Sequence, residues 1–390
     1  MTQSNTRLSA PRLARRVLLS GATAATLALT FAGVSLADAG SPLQAVLTRK
    51  AEALKAAPAG PVRELKARVT AESRSGVRRL RIRDFQYLSD SGRDFGGYNL
   101  GAGSWDTEVA VLASAVADEF LLQAAARGTP IDAIDVVFTS QPDDPSVEKA
   151  RKVAYPRNLK YVAYIQSSAS DADLEALRQA VEKASPVLNL VTEAQPIGHG
   201  EIHYTQSPAQ RDPNLPPGLR DFLVEKRQAI LRRNEKAKTQ PSKPYALRAQ
   251  AHVEPRTGVR TTRTGEGNFQ ILHDAQPELG GYGLAPTVEE HQLGVLATCL
   301  THIFEIQAAT RQVVLDSLEV RTEGKLAPRQ GGAPVRYQNV KYSVHIESPA
   351  GREAIDGLRQ AVEASCPVYN LLKDAQTIGG SNVRGAPPKS

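Results

Sequence analysis

Residues 286–304 read PTVEEHQLGVLATCLTHIF, and this stretch decides how the second half of the chain folds. Thr287 followed by Glu290 is a capping-box pattern, which predicts the start of a helix. Apolar side chains then recur at the 3.6-residue period of a helix with one buried face, at Leu293, Leu296, Leu300, Ile303 and Phe304. Cys299 lies on the same face. The stretch therefore predicts an amphipathic core helix that carries one of the chain's two cysteines.

The sequence around the second cysteine, Cys366, occurs twice. LRQAVEKASPVLNLVTEAQPIG at 177–198 matches LRQAVEASCPVYNLLKDAQTIG at 358–379 at 14 of 22 positions, with a constant offset of 181 residues. Further matches, in the same order along the chain, pair 72–78 with 254–260, 94–100 with 278–284, 111–125 with 295–309, and 158–168 with 339–349. Each copy contains both helix-like periodicity and strand-like alternation. The sequence thus predicts an α+β fold built from two tandem domains.

The repeat sets the domain boundaries. The first domain is predicted at 67–206 and the second at 246–384, and the strand at 339–349 is predicted to bury Val340, Tyr342, Val344 and Ile346 on one face. Residues 207–245, rich in proline and charge, are interpreted as a solvated linker with a helix inside it. The charged helical piece after residue 40 is expected to pack loosely, and the tail from residue 381 is expected to be disordered.

The first 39 residues have the features of an export signal. Arg15 and Arg16 precede a mildly apolar run that ends in small residues, which favours the twin-arginine route with cleavage near Ala37 or Ala39. A permanent transmembrane anchor is the alternative for this segment, and no other segment is long enough to span a bilayer. We therefore expect an exported protein, periplasmic or extracellular, with no stable membrane span once the signal is removed.

The net charge argues against nucleic acid as a partner. Residues 1–39 carry four arginines and one aspartate, so their removal lowers the formal charge from +7 to +4. The remaining basic residues are scattered, whereas nucleic-acid binding requires a concentrated basic surface.

The two copies differ at the positions that could carry chemistry. Ala115 stands opposite Cys299, Ser185 opposite Cys366, and Trp105 opposite Glu289. Cys366, with Ser365 as the predicted N-cap and Pro367 in the first turn, would lie at a helix N-terminus, which favours a thiolate. From the residues alone, paired redox thiols, a permanent disulfide, and a metal site with His302 all remain open.

The second copy resembles the OsmC/Ohr family of thiol peroxidases, and 67–206 resembles it without the catalytic residues. The matching motifs, in chain order, are Arg256-x-Gly258, the ELGG turn at 278–281, Glu289 ten residues before Cys299, and Cys366-Pro367. The resemblance implies two intertwined domains with active sites at their interface. Since family members are usually single-domain homodimers, it implies for this fused chain an intramolecular pseudo-dimer with one competent site. It leaves further oligomerisation open.

The resemblance also implies the chemistry. Cys299 would be oxidised by an organic hydroperoxide and Cys366 would resolve the product as a disulfide, with an unidentified thiol as the reductant and no cofactor or metal. Glu289 and an arginine would form the salt bridge that activates the thiolate, and either Arg256 or Arg74 from the first copy could supply the guanidinium. The alternative is a non-enzymatic binding or structural protein with a permanent Cys299–Cys366 disulfide.

Overall fold

A computed structural model describes residues 41–56, 62–142, 153–240, 246–265 and 268–388. Residues 1–40, which contain the predicted export signal, lie outside this described part. Within it the chain forms eight α-helices and twelve strands arranged in two sheets.

The first half of the described chain runs as follows: α1 (Pro42–Ala56), β1 (Arg63–Ala71), β2 (Arg78–Ile82), β3 (Phe85–Ser89), α2 (Ser104–Arg127), β4 (Ala133–Ser140), β5 (Leu159–Gln166), α3 (Asp171–Ala184), α4 (Pro186–Thr192), β6 (Glu201–Gln206). The second half repeats this order: α5 (Leu219–Thr239), β7 (Leu247–Val253), β8 (Arg260–Thr264), β9 (Phe269–His273), α6 (Val288–Arg311), β10 (Ser317–Leu326), β11 (Tyr337–Ser348), α7 (Arg352–Ser365), α8 (Pro367–Lys373), β12 (Ile378–Arg384).

Neither sheet is built by one copy alone. The first sheet has the order β3-β2-β1-β10-β11-β6, and the second has the order β12-β5-β4-β7-β8-β9. In the first sheet β1 pairs antiparallel with β10, and in the second β4 pairs antiparallel with β7, so the copies exchange strands in both directions. The prediction of an α+β fold with two copies packed as an intramolecular pseudo-dimer is confirmed.

Helices α2 and α6 form the centre of the molecule. Helix α2 packs on β4, β7 and β8, helix α6 packs on β1, β2 and β10, and the two helices pack against each other. Both are long and apolar enough to cross a bilayer, which corrects the expectation that no segment after residue 39 is, but 89% and 78% of their most apolar windows are buried inside the protein. Their hydrophobicity is therefore that of core helices between two sheets.

The helices that precede each copy are packed, which corrects two sequence expectations. Helix α1 buries Leu43, Val46, Leu47, Lys50 and Leu54, and α5 buries Leu219, Phe222, Leu223, Lys226, Ala229 and Ile230. A Cβ atom on Gly76 would lie 1.8 Å from the ring of Phe222, and one on Gly258 would lie 2.8 Å from Val46. Each helix thus covers the Arg-x-Gly turn of the other copy. The predictions of a solvated spacer and of a loosely packed helix were wrong, because each helix buries one apolar face, and the lysines on that face, Lys50 and Lys226, are paired with Asp118 and Glu305.

Strand predictions were met at β11 and missed at the C-terminus. Val340, Tyr342, Val344 and Ile346 are buried along β11, as their alternation predicts. Residues 381–384, expected to be disordered, instead belong to β12, which pairs in parallel with β5. The pairing supplies backbone hydrogen bonds that the polar sequence of this tail does not reveal.

Candidate thiol site

Cys299 is fixed in the middle of α6. The capping box predicted for this helix is present: Thr287 Oγ1 accepts a hydrogen bond from the Glu290 N–H, and the Glu290 side chain accepts one from the Thr287 N–H. Cys299 has an exposed fraction of 1%. The helix therefore holds this sulfur atom in the core, where α2 packs against α6.

Cys366 lies between α7 and α8. It is itself the N-cap of α8, with Pro367 in the first turn, whereas Ser365, the expected N-cap, ends α7. The Cys366 sulfur is 3.4 Å from the Cys299 sulfur, and both are free, buried thiols. A disulfide has an S–S distance of about 2.05 Å, so a modest approach of the two sulfurs would join them. The structure thus brings the two predicted cysteines together.

The two thiols differ in acidity. Burial opposes ionisation of Cys299, but hydrogen bonds from the Cys366 thiol, the Val368 N–H and the Ser104 hydroxyl stabilise its thiolate, and the pKa of Cys299 is lowered. Burial and the neighbouring Cys299 sulfur raise the pKa of Cys366 well above its ordinary value. Cys299 is therefore the better nucleophile, and Cys366 remains a thiol that donates to it.

Helix α2 supplies two polar residues to this site that sequence reasoning missed. Ser104 hydrogen-bonds Cys299, and the charge of Glu108 acts on the same sulfur. Glu108 is completely buried, burial raises its pKa to about 7, and both its oxygens accept from Gln292 Nε2 at 3.0 and 2.9 Å. The sequence could have pointed to Glu108, because it aligns with Gln292 in the second copy and the two copies therefore differ in charge at this position.

The two arginines expected to activate the thiolate lie elsewhere. Arg74 and Arg256 are exposed, while both sulfur atoms are buried, and neither arginine is among the groups that act on Cys299. The buried arginines lie four residues later: Arg78 contacts Glu305 at 3.2 Å and Arg260 contacts Asp118 at 2.7 Å. The Arg-x-Gly residues therefore form turns, and this structure does not place the expected guanidinium beside Cys299.

Glu289 is buried but is not among the groups acting on Cys299. Its charge acts on Arg329 and Tyr337, and Arg329 forms a bidentate salt bridge with Glu119 on α2, at 2.8 and 2.7 Å. Ten residues along a helix span about 15 Å, so Glu289 at the start of α6 lies well away from Cys299 on the same helix. The structure does not bring Glu289 to the thiols.

His302 points away from the sulfur atoms. Its Nε2 atom lies 2.9 Å from Ser91 Oγ, its ring packs edge-on against Phe95, and burial together with Arg78 and Lys226 keeps its pKa well below the ordinary value. In the described part of the chain there is no group of three His, Cys, Asp or Glu side chains arranged to hold a metal ion. The metal site considered from the sequence is therefore not assembled from Cys299, His302 and Cys366.

Comparison with known proteins connects this geometry with one family. The family model described as OsmC-like protein matches residues 281–379, which include both cysteines. Among solved structures, an organic hydroperoxide resistance protein OsmC from Legionella pneumophila is 21% identical and covers 35% of this chain and 96% of its own, with a TM-score of 0.28. An OsmC-like protein from Mycoplasma pneumoniae is 20% identical and covers 35% and 94%, also with a TM-score of 0.28. No curated protein matches the chain.

Proposed function

We propose that this protein is an exported thiol-dependent peroxidase that reduces organic hydroperoxides with Cys299 and Cys366, because the OsmC-like family model matches residues 281–379. The observation that carries the proposal is the 3.4 Å distance between the two free sulfur atoms inside the matched domain. Two buried thiols in contact, one with a lowered and one with a raised pKa, are suited to a reversible two-electron redox cycle.

The cycle has three displacements. The Cys299 thiolate attacks the distal oxygen of the hydroperoxide, forming a sulfenic acid and releasing an alkoxide, which takes up a proton to leave as an alcohol. The Cys366 sulfur then attacks the Cys299 sulfenic acid, forming a disulfide and releasing water. An external dithiol reduces that disulfide by thiol–disulfide exchange and becomes oxidised itself, which restores both thiols.

The surroundings of Cys299 favour an organic substrate. Leu296, Leu300 and Phe304 on the same helix are fully buried, so the neighbourhood is apolar and suits an alkyl or aryl hydroperoxide better than hydrogen peroxide. Since both sulfur atoms are buried, the substrate must enter through local opening of the packing around them.

Export is the second part of the proposal and rests on the sequence of residues 1–39 alone. Export limits the reductant to dithiols that act in the exported compartment. The proposed partner is therefore defined chemically, as a dithiol able to reduce a buried disulfide.

The test uses the pre-reduced full-length protein and cumene hydroperoxide. We expect one equivalent of peroxide to consume both thiols and to give an intramolecular disulfide, visible as the loss of two hydrogen atoms in the intact mass. Cys299→Ser should abolish peroxide consumption, whereas Cys366→Ser should stop the reaction at a Cys299 sulfenic acid that dimedone traps. Unchanged peroxide consumption by Cys299→Ser would disprove the proposal.

A second candidate, a non-enzymatic protein with a permanent Cys299–Cys366 disulfide, is favoured by the near-complete burial of both sulfur atoms. That crosslink would close a loop of 67 residues and could stabilise the fold by about 4 kcal/mol. A reduction potential below about −300 mV, together with no reaction of the reduced protein with peroxide, would support this structural role.

A further inference from the structure

Glu108 has an environment that disfavours an ionised carboxylate. The residue is completely buried on α2, and its only hydrogen-bond partner in the described structure is the neutral Gln292 amide, at 3.0 and 2.9 Å. Other buried carboxylates nearby are paired with cations: Asp118 with Arg260, Glu119 with Arg329, and Glu305 with Arg78. Burying an unpaired negative charge costs several kcal/mol, so this environment favours the neutral carboxyl over the carboxylate.

The partner of Glu108 has a buried oxygen that a proton on Glu108 could satisfy. In the described structure Gln292 Oε1 is buried without a hydrogen-bond partner. If Glu108 carries a proton, its O–H can donate to Gln292 Oε1 while Gln292 Nε2 donates to the other carboxyl oxygen. Such an acid–amide pair satisfies the otherwise unpaired oxygen, whereas an ionised Glu108 has no hydrogen to offer it.

The pair lies next to the thiol site. Ser104 hydrogen-bonds Cys299, and Glu108 follows Ser104 by four residues, so both side chains lie on the same face of α2 within one turn. The titratable groups that face Glu108 are Cys299 on α6 and Tyr337 on β11, with Cys366 beyond Cys299. Among the described groups that act on Glu108 or Cys299 there is no cation, while Arg63 on β1 acts on the neighbouring Tyr337, so a negative charge formed here is shared between Glu108 and Cys299.

We propose that Glu108, contributed by the copy that lacks cysteines, is the proton store of the thiol site and keeps its proton while Cys299 is a thiolate. The inference rests on the proposed peroxidase function and deepens it. Two negative charges buried next to each other would repel, so the thiolate forms beside the neutral acid and is lost when the acid ionises.

The proton balance of the cycle follows from this arrangement. When Cys299 attacks the hydroperoxide, the S–O bond forms and the O–O bond breaks, and the Glu108 proton passes through the Ser104 hydroxyl to the alkoxide. Glu108 is then a carboxylate. When Cys366 attacks the sulfenic acid, its thiol proton passes by way of Glu108 to the leaving hydroxide, which departs as water, and Glu108 is again a carboxylate. The external dithiol supplies two protons when it reduces the disulfide, one to the Cys366 thiol and one to Glu108, so Cys299 returns as a thiolate beside a neutral acid. Glu108 acts through Ser104 and is therefore a positioning residue for the reacting atoms.

The experiment measures single-turnover oxidation of the reduced full-length protein by cumene hydroperoxide between about pH 5 and pH 9. Trp105, the only tryptophan, follows Ser104 directly and serves as the fluorescence reporter. For the native protein we expect the rate to fall about tenfold per pH unit above about pH 7, because Glu108 then loses its proton.

Glu108→Gln should slow the reaction by about 10²-fold near pH 6 and abolish the decline above pH 7, since an amide neither donates a proton as an acid nor ionises. Gln292→Met removes the hydrogen bonds that Glu108 makes in the described structure, so the midpoint of the decline should move. Glu175→Gln, an exposed change on α3, should keep the native profile. A role in packing alone would not move the midpoint of the decline.

The outcomes separate this inference from the proposed function. If the native protein is not oxidised by peroxide at any pH, the peroxidase proposal fails. If the native protein reacts but Glu108→Gln keeps the same rate and the same decline, or if Gln292→Met leaves the midpoint where it was, the role of Glu108 is overturned while the peroxidase proposal stands.

Discussion

Ala115 and Ser185 occupy in the first copy the positions that Cys299 and Cys366 occupy in the second, and all four residues are buried. Ser185 caps α4, where its hydroxyl accepts a hydrogen bond from the Leu188 N–H at 3.4 Å. Cys366 is also the N-cap of its helix, but its sulfur donates to Cys299 instead. Alanine and serine thus fill these two buried positions in the first copy, so the copy's fold does not require a thiol at either position.

The far part of α2 and the thiol site also differ in how their buried carboxyl groups are paired. On the far part of α2, Glu119 is neutralised by Arg329 in a buried bidentate salt bridge, and Glu289 acts on the same arginine. At the thiol site Glu108 has only the Gln292 amide. The buried carboxylate on the far part of α2 is therefore paired with a cation, whereas the hydrogen-bond partner of Glu108 at the thiol site is a neutral amide.

The largest effect on stability is expected at the buried salt bridge between Glu119 and Arg329. Arg329→Met leaves Glu119 buried without a cation and should lower the free energy of unfolding by about 3 to 5 kcal/mol. Arg336 provides the control, because its salt bridge with Glu193 is 52% and 43% exposed, and Arg336→Met should cost less than about 1 kcal/mol. Equal losses in urea unfolding would show that burial does not distinguish the two pairs.

The next largest effect on stability is expected at Glu108, and it depends on pH. Burial raises the pKa of Glu108 from 4.5 to about 7 in the folded state. The folded state therefore binds the proton more tightly, and this contribution to stability is present below about pH 4.5 and lost as the pH rises through 7. Relative to the native protein, Glu108→Gln should gain about 3 kcal/mol between pH 4.5 and 8. If the difference in free energy of unfolding between Glu108→Gln and the native protein stays constant with pH, Glu108 is not a neutral acid in the folded state.

A smaller effect should follow when thiols are introduced into the first copy. With Cys299 and Cys366 both changed to serine, Ala115→Cys combined with Ser185→Cys should form a new intramolecular disulfide under mild oxidation, counted as lost free thiols. Losing the Ser185 cap should cost about 1 kcal/mol. Two persistent free thiols would mean that the copies have diverged in backbone geometry as well as in sequence.

The smallest effects are expected at Arg74 and Arg256. Both side chains are exposed, so Arg74→Ala and Arg256→Ala should each change the free energy of unfolding by less than about 0.5 kcal/mol. They should also leave single-turnover oxidation of Cys299 unchanged. If either change slows that oxidation tenfold or more, a guanidinium reaches the thiol during the reaction and the activation expected from the sequence is restored.

Local patterns in the sequence predicted much of the fold because their causes are local. The capping box of α6 and the alternation along β11 follow from residues three or two apart. The packing of α1 and α5 was missed because each helix carries many charges, and only the contacts at Gly76 and Gly258 reveal which face is covered. Lys50 and Lys226, which read as surface residues, are buried beside Asp118 and Glu305.

The sequence by itself determined that the chain is a repeat of one α+β unit and that only the second copy carries thiols, since both facts are written in residue order. Only the tertiary structure decided which side chains of one copy face the other. Strand exchange and the packing of α2 against α6 place Glu108 of the first copy, and not Glu289 of the second, beside Cys299. The physical reason is that contacts between distant segments depend on how helices and sheets pack, and spacing along the chain does not encode that packing.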